Sequence, residues 1–207
     1  MKILVLNPNT SNEFNRALEK TAKEYRLPST ELVVISPKSG PKSIEGIYDE
    51  ALSVQGTLEA FIDREKEFDA FIVACFSDHL AVYAIREITQ KPVIGIAEAS
   101  IHIACLLGNK FSIVTTNERW GPLLHEALKK YGVESRCASV RTTGLRVLDL
   151  EDLESRAVEK AIQEQALTAV EEDGAEVIVL GCAGMSGWIK SFRRNSVFPC
   201  WMVLFVL

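Results

Sequence analysis

The sequence predicts an α/β protein made of two similar lobes, each with a four-stranded parallel sheet flanked by helices. Short apolar runs alternate with amphipathic stretches along all 207 residues, which is typical of βαβ units. A chain of this length forms one large or two small domains, and its second half repeats the pattern of the first. We therefore predict an N-terminal lobe over 1–97 and a C-terminal lobe over 98–207.

Each predicted strand is a short apolar run, and a stretch of helical periodicity follows it. The strands are predicted in order at 2–7, 32–36, 70–75, 92–96, 111–115, 136–140, 176–182 and 200–206. The helices are predicted in the gaps, at 11–25, 47–66, 78–90, 99–107, 118–131, 151–172 and 185–194. Two capping boxes, Thr10-x-x-Glu13 and Thr115-x-x-Glu118, each follow a strand and favour a helix start there.

The two halves are related by a nearly constant offset. Cys75 and Cys182 end apolar strands 107 positions apart, and Pro92 and Pro199 open the next strands at the same offset. Any two βαβ units resemble each other to some degree, but a shared offset favours an internal duplication. The sequence thus predicts two pseudo-symmetric lobes with the active site in the cleft between them.

Composition and motifs exclude several classes of function. A net charge of −5 gives nucleic acid no basic surface. The apolar run at the N-terminus and the uncharged stretch at 195–207 are too short for a signal peptide core or a membrane span, so we expect a cytoplasmic protein that binds no membrane. No nucleotide-binding motif and no metal-ligand spacing of histidines occurs, so we expect neither cofactor nor metal.

The five cysteines are odd in number and contain no C-x-x-C pair, which indicates free thiols: Cys75, Cys105, Cys137, Cys182 and Cys200. Cys75 and Cys182 each end a strand and precede a helix, whose N-terminus favours thiolate and lowers the thiol pKa. Cysteine is also a common buried residue, which is the interpretation for Cys105 and Cys137. A symmetric pair of thiols could serve opposite faces of one small molecule, as inversion of a carbon centre without a cofactor requires.

Polar residues end the first strand of each lobe. Asn7 and Asn9 in one lobe, and Thr115 and Thr116 in the other, could hold a carboxylate or imide oxygen and stabilise an enolate. Plain N-capping is an alternative role for Thr115. His79 could tune the nearby thiol or relay protons to it, but an exposed histidine at a helix start is nearly as plausible.

Four segments resemble the hydantoin and allantoin racemases of the aspartate/glutamate racemase superfamily: 7–11, 74–79, 113–116 and 180–185. The resemblance implies two flavodoxin-like lobes, cofactor-independent racemisation of a small-molecule substrate through two cysteines, and a homo-oligomer. Carried over by position, it makes Cys75 and Cys182 the acid/base pair. The candidate substrate-binding residues are Asn7, Ser77, Asp78, Thr115, Thr116, Ala183 and Gly184, with Asn9 and His79 in a supporting role.

Two departures bear on the substrate and on activity. The loop after the first cysteine reads Ser-Asp-His-Leu, where hydantoin racemases often carry a Gly-Asp-Pro-Gly type sequence, and is closer to fungal-type relatives. The tail after Lys190 differs from the family, and we expect it to lack the final helix that the repeat predicts, which would reduce activity. We expect a racemase of a cyclic ureide, a 5-substituted hydantoin or allantoin. The alternatives are an aspartate or glutamate racemase, a maleate-type isomerase, and a binding relative with impaired catalysis.

Overall fold

The computed structural model describes residues 1–152 and 155–188, together with the backbone of 203–204. The chain divides into two compact units, one over Met1–Ile96 and the other starting at Ala97. Each unit is an α/β layer structure around its own parallel sheet.

The first unit has a four-stranded sheet in the order β2-β1-β3-β4, with every neighbouring pair parallel. Its strands are β1 (Lys2–Leu6), β2 (Glu31–Ile35), β3 (Ala70–Val73) and β4 (Val93–Gly95). Its helices are α1 (Asn12–Tyr25), α2 (Ile47–Arg64), which runs into a 3-10 turn at Glu65–Glu67, and α3 (Leu80–Ile88). The inner strands β1 and β3 therefore end side by side.

The second unit has the same topology, with strand order β6-β5-β7-β8. Its strands are β5 (Phe111–Thr115), β6 (Cys137–Thr142), β7 (Val177–Leu180) and β8 (Val203–Leu204). Its helices are α4 (Ile96–Leu107), which begins one residue before the boundary between the units, α5 (Trp120–Lys130) and α6 (Arg156–Glu171). Three 3-10 helices cover Glu134–Arg136, Val147–Glu151 and Ala183–Trp188.

The pairing register also matches between the two sheets. Leu6 pairs with Val73 in the first sheet, and Val114 pairs with Leu180 in the second, at 108 and 107 positions further along the chain. The predicted α/β class, with two four-stranded parallel sheets flanked by helices, is confirmed.

Each of the two units has an apolar core of its own. Phe61 of α2 meets Phe71 of β3 edge to face, with ring centroids 4.7 Å apart, in the core of the first unit. The core of the second unit joins Ile162 of α6 to Ile178 and Leu180 of β7. Burial of such side chains from water is the main stabilising force in each unit.

Both predicted capping boxes are wrong. The N-cap of α1 is Ser11, whose Oγ accepts the Phe14 N–H at 3.2 Å, while the Thr10 hydroxyl donates to the Pro41 carbonyl. Thr115 still belongs to β5, and α5 starts only at Trp120 without a side-chain cap.

Several helix bounds also differ from those predicted. The helix predicted over 151–172 begins at Arg156, because Ser155 caps it and a 3-10 turn precedes it. The described part of the helix predicted over 185–194 is 3-10 rather than α, while 189–194, Pro199 and Cys200 lie outside the described residues. Within the described ranges, none of the helices combines the length and the apolar composition needed to cross a bilayer.

Candidate active site

Both predicted acid/base cysteines lie at the carboxyl end of a sheet, two residues beyond an inner strand. Cys75 follows β3, where the Ala74 N–H donates to the Leu6 carbonyl at 2.8 Å and holds this segment beside the end of β1. Cys182 follows β7, where the Gly181 N–H donates to the Val114 carbonyl at 2.7 Å. Both cysteines are half-buried free thiols. Ligands of open parallel sheets bind at this end.

A buried carboxylate lies close to Cys75. The Ser77 hydroxyl donates to the Cys75 sulfur at 3.6 Å, and it is also within hydrogen-bonding reach of the carboxylate of Glu50 on α2. The Leu80 N–H donates to the same carboxylate. Burial raises the pKa of Glu50, which is only 7% exposed, and the nearby negative charge of Asp78 raises it further. The Glu50 carboxylate is thus supplied by α2, at a position 25 residues before Cys75 in the sequence.

His79 caps α3 and is fully buried. Its Nδ1 accepts the Ala81 N–H at 3.2 Å, so the ring proton is on Nε2, which donates to the Ser53 hydroxyl at 2.9 Å. Ser53 Oγ in turn donates to the Glu50 carbonyl at 2.7 Å. Burial lowers the pKa of His79 to about 4, so the ring is neutral at pH 7. The alternative of an exposed histidine is wrong, and both ring nitrogens bind groups other than the thiol.

The N-terminus of α3 has partners of its own. The Leu80 N–H donates to the Glu50 carboxylate, and the Ala81 and Val82 N–H groups donate to the side chain and the carbonyl of His79. The favourable end of the helix dipole thus acts on Glu50 and His79. A Cys75 thiolate would therefore have to share the stabilisation predicted from the N-terminus of α3 with the Glu50 carboxylate.

Asn7, at the end of β1, is the centre of a buried polar cluster. Its Nδ2 is 3.0 Å from Oδ1 of Asn9, 3.0 Å from Oδ1 of Asn15 and 3.2 Å from Oγ of Ser36. The Ser36 hydroxyl donates to Asn15, and the Asn9 oxygen also accepts the Ser11 N–H at 2.9 Å. The structure thus brings together Asn7 and Asn9, two of the candidate site residues. It adds Asn15 and Ser36, which sequence reasoning missed.

In the second unit, the end of β5 corresponds to the end of β1 in the first. The Thr115 hydroxyl donates to the Gly181 carbonyl at 2.8 Å and so fixes the residue before Cys182. Thr116 is fully buried, and its hydroxyl has no hydrogen-bond partner among the described residues. A buried polar group without a partner is unfavourable, and an absent ligand is one explanation for it.

Cys182 has an apolar environment that differs from that of Cys75. It packs against the core cluster that contains Leu150 and Met185. Ala183, half-buried, and Gly184, buried, begin the 3-10 helix, and the Met185 N–H donates to the Cys182 carbonyl at 2.9 Å. The same 3-10 helix thus contains two predicted binding residues.

The other thiols are poorly suited to acid/base chemistry. Burial raises the pKa of Cys137 to about 11, and its sulfur donates to the Ser139 carbonyl at 3.3 Å. Burial also raises the pKa of Cys105. Within the part of the chain that the structure describes, no three His, Cys, Asp or Glu side chains are grouped as metal ligands would be.

Sequence reasoning missed the polar face of α2. This helix buries Glu50 and Ser53 against the Cys75 loop and leaves Ile47, Tyr48 and Leu52 exposed. The sequence contains one sign of this arrangement, because polar residues interrupt the apolar spacing in the first half of a helix that is otherwise amphipathic.

The fold and the site define a class: proteins of two α/β units with the same topology, each with a free cysteine and buried polar side chains at the carboxyl end of its sheet. The sequence model of the Asp/Glu/Hydantoin racemase family matches residues 3–200. The chain belongs to this family.

Individual proteins of this family and fold are similar to the chain over most of its length. The chain is 42% identical to a hydantoin racemase of Pseudomonas sp. (strain NS671) over 200 residues, which is 96% of this chain and 80% of the relative. The allantoin racemase of Klebsiella pneumoniae superposes with a TM-score of 0.90 at 37% identity, over 98% of this chain and 82% of that one. Glutamate racemase of Campylobacter jejuni shares the fold, with a TM-score of 0.68 at 20% identity over 99% of this chain and 81% of that one.

Proposed function

We propose that this protein is a racemase of five-membered cyclic ureides, a 5-substituted hydantoin or allantoin, in which Cys75 and Cys182 are the acid/base pair. One observation carries the proposal: each unit holds a half-buried free thiol at the equivalent end of its sheet, beside buried polar groups. The similarity to hydantoin and allantoin racemases supports the choice of substrate class.

The chemistry requires no group beyond the two thiols. The hydrogen at C5 of such a ring is acidified by the adjacent ring carbonyl. The thiolate of one cysteine takes this proton, and the electron pair of the C–H bond moves into the carbonyl to form an enolate. The thiol of the other cysteine then protonates C5 on the opposite face, so one thiolate is consumed and one is formed.

The polar groups at the ends of β1 and β5 are suited to hold the ring. Three acceptors surround Nδ2 of Asn7, so its amide oxygen is the atom that we expect to accept a ring N–H. The unpaired Thr116 hydroxyl is suited to donate to a carbonyl oxygen that becomes an enolate. We assign Ser77, Asp78, Thr115, Ala183 and Gly184 to the same substrate surface because they adjoin the two thiols or the end of β5.

The test follows single enantiomers of a 5-substituted hydantoin, allantoin, aspartate and glutamate in deuterated water by circular dichroism and proton exchange together. We expect wild-type protein to racemise a ureide, and Cys75→Ala and Cys182→Ala each to abolish racemisation while retaining exchange from one enantiomer. Cys105→Ala is the matched control, because this thiol lies in α4 and its pKa is raised.

Two results would change the proposal. If either single variant racemises both enantiomers at the wild-type rate, the two-thiol mechanism is wrong. Turnover of aspartate or glutamate with none of any ureide would support an amino-acid racemase instead.

We also propose a homo-oligomer in the cytoplasm. Ile47, Tyr48 and Leu52 form an exposed apolar surface on α2, which suits contact with a second copy. The four described cysteines are free, which suits a reducing compartment. Light scattering of the wild type and of Leu52→Lys tests the first point, since a contact there would be lost in the variant.

A further inference from the structure

Glu50 is an unusual residue to find in a buried position. It lies in the first turn of α2, is 7% exposed, and faces the loop that follows Cys75. Among the described residues, no basic side chain forms an ion pair with it. Its carboxylate accepts instead from the Leu80 N–H and is within hydrogen-bonding reach of the Ser77 hydroxyl. A buried carboxylate is unfavourable unless hydrogen bonds compensate for lost hydration, so these two bonds hold the loop against the helix.

A second connection fixes the same helix to the same loop. The Ser53 hydroxyl, one turn further along α2, accepts from Nε2 of His79 and donates to the Glu50 carbonyl. The position of the Glu50 side chain relative to Ser77 is therefore fixed at two points rather than by one bond.

The Ser77 hydroxyl has one hydrogen and two acceptors. One is the sulfur of Cys75 at 3.6 Å, and the other is the Glu50 carboxylate. An ionised carboxylate is the stronger acceptor and competes with the sulfur for this hydrogen. When the carboxyl is neutral, the hydrogen can turn to the sulfur, where it stabilises a thiolate.

We propose that Glu50 is a positioning residue for Cys75, acting through the Ser77 hydroxyl to control how readily the sulfur ionises. The inference rests on the proposed function, because it assumes that Cys75 exchanges protons with the substrate. The other titratable groups around the carboxyl are Asp78, which accepts a hydrogen bond from the Tyr83 hydroxyl, and His79, which is neutral at pH 7.

The test measures alkylation of Cys75 in the resting protein. Iodoacetamide is applied between pH 6 and pH 9, and modification of the Cys75 peptide is quantified by mass spectrometry. The variants are Glu50→Gln, Ser77→Ala and the double variant. Glu59→Gln is the matched control, because Glu59 is an exposed glutamate on the same helix that bonds to Gln55.

We expect Glu50→Gln to accelerate alkylation of Cys75 about threefold at pH 8, where the wild-type carboxylate competes for the hydroxyl hydrogen. In the Ser77→Ala background the same substitution should change the rate by less than about 1.5-fold, because coupled residues give non-additive effects. Equal acceleration in both backgrounds, or none beyond that of Glu59→Gln, would overturn the proposal.

A folding failure would not leave the question open. If circular dichroism shows that Glu50→Gln does not fold, the alkylation rates of the wild type and Ser77→Ala decide. The Ser77→Ala rate should differ from the wild-type rate at every pH between pH 6 and pH 9, because the sulfur loses the hydroxyl for which the carboxylate competes, whereas equal rates would overturn the proposal. Alkylation requires no turnover, so this result is independent of whether any ureide is racemised.

Discussion

Gly181 is the position next to Cys182 where the chain leaves no room for a side chain. A Cβ there would lie 2.8 Å from Cγ2 of Ile113, 3.0 Å from Cβ of Thr115 and 3.2 Å from the Val114 carbonyl oxygen. All three atoms belong to the fully packed strand β5, so none can move aside cheaply. Gly181→Ala must therefore push the end of β7 away from β5.

The expected cost is that of overpacking a core, about 1–3 kcal/mol in the free energy of unfolding. For a chain of this size each kcal/mol lowers the melting temperature by about 2–4 °C. The shift would also lengthen the 2.8 Å bond from the Thr115 hydroxyl to the Gly181 carbonyl. Because this bond fixes the residue before Cys182, we expect ureide racemisation to fall about tenfold or more.

Thermal unfolding by circular dichroism and the racemisation assay test both effects. The matched control is Gly121→Ala in α5, where a Cβ meets nothing within 4 Å. Alanine is the better helix former, so this control should gain about 0.5–1 kcal/mol and keep full activity. If Gly181→Ala melted within about 1 °C of the wild type, the packing argument would be refuted.

Three further predictions follow from pKa values. The pKa of Cys137, about 11, makes its thiolate about a hundredfold scarcer than that of an ordinary thiol, so one equivalent of iodoacetamide should label Cys75 first; peptide mapping that finds Cys137 first with activity retained contradicts this. Because His79 has a pKa of about 4 when folded, only the unfolded chain binds its proton between about pH 6.5 and 4, so stability in urea should fall by about 3 kcal/mol over that range. His79→Asn, which can still cap α3, should lose that part of the slope, and an unchanged slope counts against the assignment. The Arg141 guanidinium, 2.6 and 2.9 Å from the Asp173 carboxylate, lowers the pKa of Asp173. Asp173→Asn should therefore cost about 1–2 kcal/mol at pH 7 and nothing once the pH falls below the native carboxyl pKa, and a cost independent of pH would contradict the ion pair.

The sheets were predictable because a parallel strand covered on both faces is apolar throughout. Every residue of Phe111–Thr115 and of Val177–Leu180 is buried; Val177–Leu180 is apolar throughout, and Phe111–Thr115 is apolar except for Ser112 and Thr115. The chain offset between the two cysteines then related one sheet to the other. Helix starts were predicted less well, since several polar residues can precede a helix and at most one of them caps it. Ser11 rather than Thr10 is such a case.

The surroundings of Cys75 depend on side chains brought together from distant elements. Glu50 and Ser53 belong to α2, more than twenty residues before the cysteine, and the sequence does not specify how that helix is rotated. Apolar residues usually mark the buried face of a helix, but here Ile47, Tyr48 and Leu52 are exposed. The polar face of α2 is buried because the Cys75 loop supplies hydrogen-bond partners for it.

The two units hold Cys75 and Cys182 at equivalent positions, but the side chains around the two thiols differ. At the chain offset that relates Cys75 to Cys182, Ser77 corresponds to Gly184 and Glu50 to Ala157, so neither the hydroxyl nor the carboxylate recurs at these two positions. Cys182 packs against apolar side chains instead. A racemase with two thiols begins each turnover with one ionised and the other protonated, and the two titrate as a coupled pair. If the two thiols had identical surroundings, neither would be preferred as the ionised one. A carboxylate beside Cys75 and an apolar core beside Cys182 make the two ionisation states differ in free energy. Glu50→Gln should then change kcat unequally for the two enantiomers, with matching changes in KM, because the equilibrium between enantiomers fixes the ratio of the two kcat/KM values.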